Sequence, residues 1–268
     1  MALIDLHSVH KHALPCELMY GCILADDFLV RPRTLSVAGT IFPSGSAVVY
    51  FFHGAVFEGA GNIYYNDYIE APSVFSALIQ FSTETQVPEA TAAILTAQSD
   101  LPRTPNSNGF TVWLEQDGIK ARHGNGVTQS SLVELDLDYA DGELHTVTYL
   151  INGPAGTHTL IVDDYDPVVG STTINESIGG NYTAKVGGYL VFEWLTATVT
   201  KIRWFSRNIT LADHLLYHNS REVKYTYREQ YEDIYHSHYA KYAQGVTEFI
   251  LTPWSCYRCN AVSDDTIG

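Results

Sequence analysis

The chain has 268 residues, 46% of them hydrophobic, with 30 acidic side chains against 15 basic ones and a formal net charge of −15. That is enough apolar material for one large two-sheet core. The acidic balance, with no Lys/Arg cluster, excludes an electrostatic grip on nucleic acid or on an anionic membrane, and leaves room for divalent cations.

Residues 1–33 read as an N-terminal arm with a doubtful strand at 21–30. Asp5, the histidines His7, His10 and His12, and Pro15 interrupt the start, which lacks the basic, apolar and small-residue segments of a signal peptide. No apolar run is long enough to cross a bilayer, so a soluble protein without export signal or membrane insertion is expected. In residues 34–57 two β-rich runs flank Pro43-Ser44-Gly45, which predicts a hairpin. Tyr64, Tyr65, Tyr68, Phe75, Leu78, Ile79 and Phe81 continue the apolar supply. Residues 86–98 fit either a short helix or a strand followed by a loop, and 101–109 is the clearest loop.

Residues 109–219 alternate with period 2 and are broken by Gly, Asn and Asp, the pattern of a twisted antiparallel sandwich. A strand through Phe110, Val112 and Leu114 reaches a hairpin at Asp117-Gly118. Further strands are expected from Gly142–His145 onward, over 159–164 and over 199–205, the last running into a short helix at 209–218. From Ser220 the period changes. Tyr227, Tyr231, Tyr235 and Tyr239 recur every four residues between charged positions, with Ser220 as a candidate N-cap and Gly245 as a stop. That predicts an amphipathic helix with a tyrosine stripe, either packed on the sandwich or forming a subunit or partner interface. The expected organisation is therefore an arm at 1–33, a sandwich at 34–219, and a helix and tail at 220–268.

Within the sandwich the residues Asp141-Gly142-Glu143-Leu144-His145-Thr146-Val147-Thr148-Tyr149, the run Thr159-Leu160-Ile161-Val162-Asp163-Asp164, and the closing stretch from Val199 to Leu211 with Leu216-Tyr217 resemble the laminin-G-like, concanavalin A-like lectin/glucanase jelly-roll family. Two positions depart from its pattern: Leu144 stands where a Trp precedes the His, and Asp164 where a Gly follows the Asp. The second departure bears on the turn, because Gly tolerates positive φ far better than Asp. The resemblance implies an all-β, two-sheet antiparallel jelly roll with the N-terminal arm and C-terminal helix as extensions. Fold does not fix function, and this fold serves adhesion modules, lectins, hydrolases and structural pieces.

Several residues carry candidate chemistry. Glu134, Asp136 and Asp138 alternate along one strand face, and retaining glucanases of this fold class space acidic residues in that way. The resemblance would make Glu134 nucleophile, Asp136 its orienting partner and Asp138 acid/base; the alternative is an acid-rich solvated face. Asp163, Asp164 and Asp166 form a candidate Ca²⁺ cluster, or an ordinary acidic turn. Cys16, Cys22, Cys256 and Cys259 lie at the two ends of the chain, and the last two form a C-x2-C knuckle, so structural zinc, a disulfide or free thiols are all open. Trp113, Trp194 and Trp204 are core fillers or stacking platforms for a sugar. His145 reads as a structural histidine. Asn175, Asn181 and Asn208 lie in glycosylation sequons.

An extracellular type of fold on a chain that begins with Met and no export signal points to a viral or phage virion component: a non-enzymatic structural or adhesion module of a capsid, tail or fibre. Its partners would be copies of itself, other virion proteins and cell-surface glycan. A glycoside hydrolase using Glu134, Asp136 and Asp138, and a soluble lectin, are the competing readings. No cofactor is required by any of them, with calcium, and after it zinc, as the candidates.

Overall fold

In the computed structural model, the residues described are 21–27, 35–36, 41–44, 48–51, 54–59, 62–86, 92–98, 108–187 and 195–219. Two compact units are distinguished, Gly21–His214 and a second one made of Met1–Tyr20 with Leu215–Gly268. Of the second, only residues 215–219 are described. The account below concerns the first.

That unit is an all-β antiparallel sandwich. Its strands are β1 (Cys22–Asp27), β2 (Leu35–Ser36), β3 (Ile41–Ser44), β4 (Val48–Phe51), β5 (Gly54–Glu58), β6 (Asn62–Ala71), β7 (Val74–Ser82) and β8 (Ala92–Gln98). There follow β9 (Asn108–Glu115), β10 (Gly118–Asn125), β11 (Val133–Asp136), β12 (His145–Asn152), β13 (Thr157–Val162), β14 (Val168–Ser171), β15 (Ile178–Val186) and β16 (Thr196–Phe205). One sheet has the order β14-β13-β12-β7-β16-β1-β2, with β5 also paired to β16 and β4 to β5. The other has the order β11-β10-β9-β8-β15-β6-β3.

Alternation along the strands explains the core. Phe110, Val112 and Leu114 of β9, Ile119 and Ala121 of β10, Val147, Tyr149 and Ile151 of β12, and Leu160 and Val162 of β13 all point between the sheets. At the centre Phe110 meets Phe75 at 5.2 Å and Trp204 at 5.2 Å between ring centroids, the latter edge-on. Tilted and edge-to-face aromatic pairs at this spacing add to the stabilisation from burial itself.

Two local expectations change, and one open alternative is resolved in favour of a strand. The runs around Pro43 do not form one hairpin: β3 pairs with β6 in one sheet, whereas β4 pairs with β5 in the other. Pro43 therefore sits in an edge strand, the place in a sheet that tolerates a residue without an N–H. The chain crosses between sheets after Ser44, and the hairpin is the one joining β4 to β5. Residues 92–98 form a strand, with Ala92 and Ile94 buried in the core. The β9–β10 turn is made by Gln116-Asp117, and Gly118 opens the return strand. Glycine is required there by the neighbouring strand, because a Cβ on Gly118 would strike the backbone carbonyl of Leu135.

After β16 a helix runs over 211–219. Thr210 begins it with a reciprocal cap: Asp213 N donates to Thr210 Oγ1 at 3.1 Å and Thr210 N donates to Asp213 Oδ2 at 2.9 Å. The approach is pinned to β7 through Ser76, whose hydroxyl donates to Arg207 O at 2.7 Å and accepts from Ile209 N at 3.0 Å. The tyrosine stripe at Tyr227, Tyr231, Tyr235 and Tyr239 lies outside the described residues. No described helix is long and apolar enough to cross a membrane.

Candidate functional site

On the second sheet's face away from the core, register brings Glu134, Lys120 and Trp113 into one row across β11, β10 and β9. Each follows from alternation: the neighbours Val133, Ile119, Ala121, Val112 and Leu114 are the inward residues, so the charged and aromatic ones face out. Lys120 Nζ is held by Glu115 Oε2 at 3.0 Å, Glu134 Oε2 at 3.2 Å and Asp117 Oδ2 at 3.4 Å. Only 11% of its side chain is exposed, against half of Glu134's. Burial works against the ammonium, but hydrogen bonds and charge from Glu115 and Glu134 outweigh it, and the Lys120 pKa is raised above its ordinary value.

Trp113 belongs to the same cluster. Its indole N–H donates to Glu115 Oε1 at 2.9 Å, and the Arg122 guanidinium lies 5.6 Å from the ring centroid. The ring is only 4% exposed, so its polar surroundings, not a bare aromatic face, are what this site presents. Three carboxylates thus surround one ammonium, and Glu115 links that group to the indole, over which Arg122 lies.

Strand β11 holds two of the three acidic residues expected on one strand face. Glu134 is paired to Lys120, Asp136 ends β11 in an exposed position, and Asp138 lies beyond the strand, where its Oδ1 accepts from Ala140 N at 3.1 Å as a turn bracket. Only the first two share a strand face.

The Asp163 cluster is also divided. Asp163 is buried and takes φ +48°, the left-handed value, at the first position of a turn closed by Tyr165 N donating to Val162 O at 3.0 Å. The left-handed residue is therefore Asp163 and not Asp164. Both carboxylate oxygens are engaged: Oδ1 accepts from Thr146 N at 2.6 Å, and Oδ2 pairs with His145 Nδ1 at 2.7 Å. His145 Nε2 reaches Asp141 Oδ1 at 3.2 Å, and His214 Nε2 donates to the Asp163 carbonyl at 2.8 Å. Burial alone would lower the His145 pKa, but the Asp163 hydrogen bond and charge, with Asp141, raise it. Asp164 and Asp166 are exposed. Among the described residues no group of three or more His, Cys, Asp or Glu is arranged to hold a metal.

Trp204 is wholly enclosed in the core against Phe75 and Phe110, so it fills the sandwich and has no face open to a ligand. Trp194, Cys16, Cys256 and Cys259 lie outside the described residues. Cys22 is a free thiol whose pKa burial pushes up to about 11. Asn208 lies in a sequon, yet with its amide assigned in the orientation its neighbours require, the nitrogen donates to Phe75 O at 2.9 Å and Ile151 O at 2.8 Å.

One constellation carried no sequence signal. His123 of β10, Tyr149 of β12 and His158 of β13 meet inside the core, with Tyr149 Oη 2.6 Å from His123 Nδ1 and 3.0 Å from His158 Nδ1. The other ring nitrogens bond to Thr172 Oγ1 and Ser131 Oγ, each at 3.0 Å. Their sequence positions share no motif, and only the sheet pairing brings them together. Lys120 was legible in principle, because a β9–β10 hairpin places it opposite Trp113.

No protein-family model matches the chain, and no curated protein matches it. Solved structures do. A Trypanosoma rangeli sialidase in complex with sialic acid superposes with a TM-score of 0.56 at 11% identity, over 76% of this chain and 33% of that one. Domain 4 of AbnA, a GH43 extracellular arabinanase from Geobacillus stearothermophilus in complex with arabinotriose, gives 0.55 at 11% identity, over 72% of this chain and 96% of that domain. Botulinum neurotoxin type C, in a structure concerned with its dependence on two ganglioside molecules for cell entry, gives 0.55 at 11% identity, over 76% of this chain and 52% of that one. The chain thus spans about a third of the sialidase's length. At this identity the likeness is one of fold, an antiparallel β-sandwich.

Proposed function

We propose that this chain is a non-catalytic glycan-binding β-sandwich module of a larger assembly, and that its contact surface is formed by the carboxylates of Glu134 and Asp117 around Lys120, with the buried Trp113 in the same row as their support. The observation that carries the reading is the fixed, outward set of carboxylates around Lys120, half-exposed at Glu134 and 62% exposed at Asp117. Ionised carboxylates accept from several hydroxyls at once, and a cation held among them keeps their lone pairs oriented before a ligand arrives. Support also comes from the neighbours in fold, whose structures concern sialic acid, arabinotriose and gangliosides. A virion setting for that assembly rests on the sequence alone, namely the tyrosine stripe at Tyr227, Tyr231, Tyr235 and Tyr239.

The hydrolase reading has one observation in its favour: Glu115 and Glu134 converge on the same ammonium from two strands. One experiment separates the readings. Glu134→Gln lies at a half-exposed position and leaves the core intact. Glycan affinity measured by calorimetry is expected to fall about tenfold in this variant, with no turnover of polysaccharide by either protein. Reducing-sugar release by the wild type that disappears in the variant would make the chain a hydrolase.

A further inference from the structure

The polar chain Ser131–His158–Tyr149–His123–Thr172 lies where an apolar core would hold the sheets together without it. It crosses between them three times. His123 belongs to the sheet of β9–β11, Tyr149 and His158 to the sheet of β12–β14, Ser131 leads into β11, and Thr172 follows β14. Two further bonds close the same side: Ser131 N donates to Ser171 O at 3.0 Å and Ser171 N to Ser131 Oγ at 2.9 Å. We infer that this chain is an acid-released clasp between the two sheets, closed while both imidazoles are neutral and opened when they take up protons.

Proton counting supports it. The Tyr149 hydroxyl faces two Nδ1 atoms, with Ser130 as a further partner, and in the closed clasp it donates to one imidazole and accepts from the other. Every ring nitrogen then has a partner, and the chain can carry one extra proton without losing a hydrogen bond. A second would set two imidazolium rings 5.2 Å apart inside the core. No described carboxylate meets either ring. β10 offers Lys120 and Arg122, which alternate onto the other side of its strand, although the Arg122 charge still acts on Tyr149; β12 offers Tyr149 itself and His145, which is paired with Asp163; β11 offers Glu134, turned outward onto Lys120, and the exposed Asp136. The inward residues of β9 and the whole of β14 have no titratable side chain. Burial, and for His123 also the charge of His158, holds the two histidines at about 3 and about 4. The clasp is built closely. Any side chain at Gly170 would strike His158 Nε2, with Ser131 Oγ 2.5 Å and Val133 Cγ1 2.7 Å from the added carbon.

The test is imidazole ¹⁵N NMR on the intact chain from pH 7.5 to 2.5, with amide hydrogen exchange on β10 and β13. The clasp predicts one Nδ1–H tautomer of the two at neutral pH, no titration of either ring near pH 6.5, little change in exchange as the first ring takes up its proton, and faster exchange of both strands together once the second does. Two rings titrating near 6.5, or protonation of both rings that leaves exchange unchanged, would overturn it. Because His158→Asn keeps an amide where Nδ1 stood, it provides the matching variant: its loss of stability on acidification should be shallower by about one proton, and an unaltered slope would also overturn the clasp.

Discussion

Asp163 shows how a single side chain can fix a turn that its sequence would not favour. It takes the left-handed conformation without being glycine, and its carboxylate compensates by accepting from Thr146 N and pairing with His145. Asp163→Ala leaves a buried imidazole without its partner, and is expected to cost about 3–5 kcal/mol in urea unfolding. The histidines divide by sign. The folded-state pKa of His145 is raised above its unfolded value of about 6.5, so its contribution is full below that pH and is lost as pH rises through the folded value. His123 and His158 are depressed to about 3 and about 4, so theirs is full above about pH 6.5 and is lost as pH falls toward those values. Unfolding midpoints measured across pH 4–9 should therefore fall on both sides of a maximum near neutrality. In His145→Gln only the alkaline-side loss should shrink.

Among the elements, the long alternating strands were legible and the sheet each one joins was not. Phe110, Val112 and Leu114 announce β9 because burial on one face imposes period 2, and His145 marks the start of β12. The runs on either side of Pro43 look like one hairpin because local pattern says nothing about which sheet receives a strand. The Lys120 row follows the same logic: Trp113 and Glu134 each stood out, for different chemistry, but only the pairing through β10 brings them around one ammonium. The His123–Tyr149–His158 chain depends on both sheets at once, so no window of sequence contains it. The short helix expected at 209–218 is found at 211–219, and the reciprocal cap of Thr210 and Asp213 sets its beginning. Thr210→Ala should cost about 1 kcal/mol by thermal or urea unfolding, without altering the strands.

For the whole molecule, fold and function come apart. The antiparallel sandwich agrees with the family resemblance in the sequence and with solved structures, yet the same architecture appears in a third of a sialidase chain, in an arabinanase domain and in half of a toxin chain. Function must rest on the site. Membership of a larger assembly is tested by light scattering on the chain with and without residues 220–268: a defined oligomer that dissociates on truncation is expected, and a monomer in both forms would remove the tyrosine stripe as an interface. The central claim is glycan binding through the Lys120 row, and the most direct measurement is calorimetric titration of the intact chain with a panel of neutral and sialylated oligosaccharides, repeated with Glu134→Gln. Saturable binding of at least one glycan, weakened about tenfold by the substitution, is the predicted result; no binding to any member of the panel, or equal binding by both proteins, would contradict it.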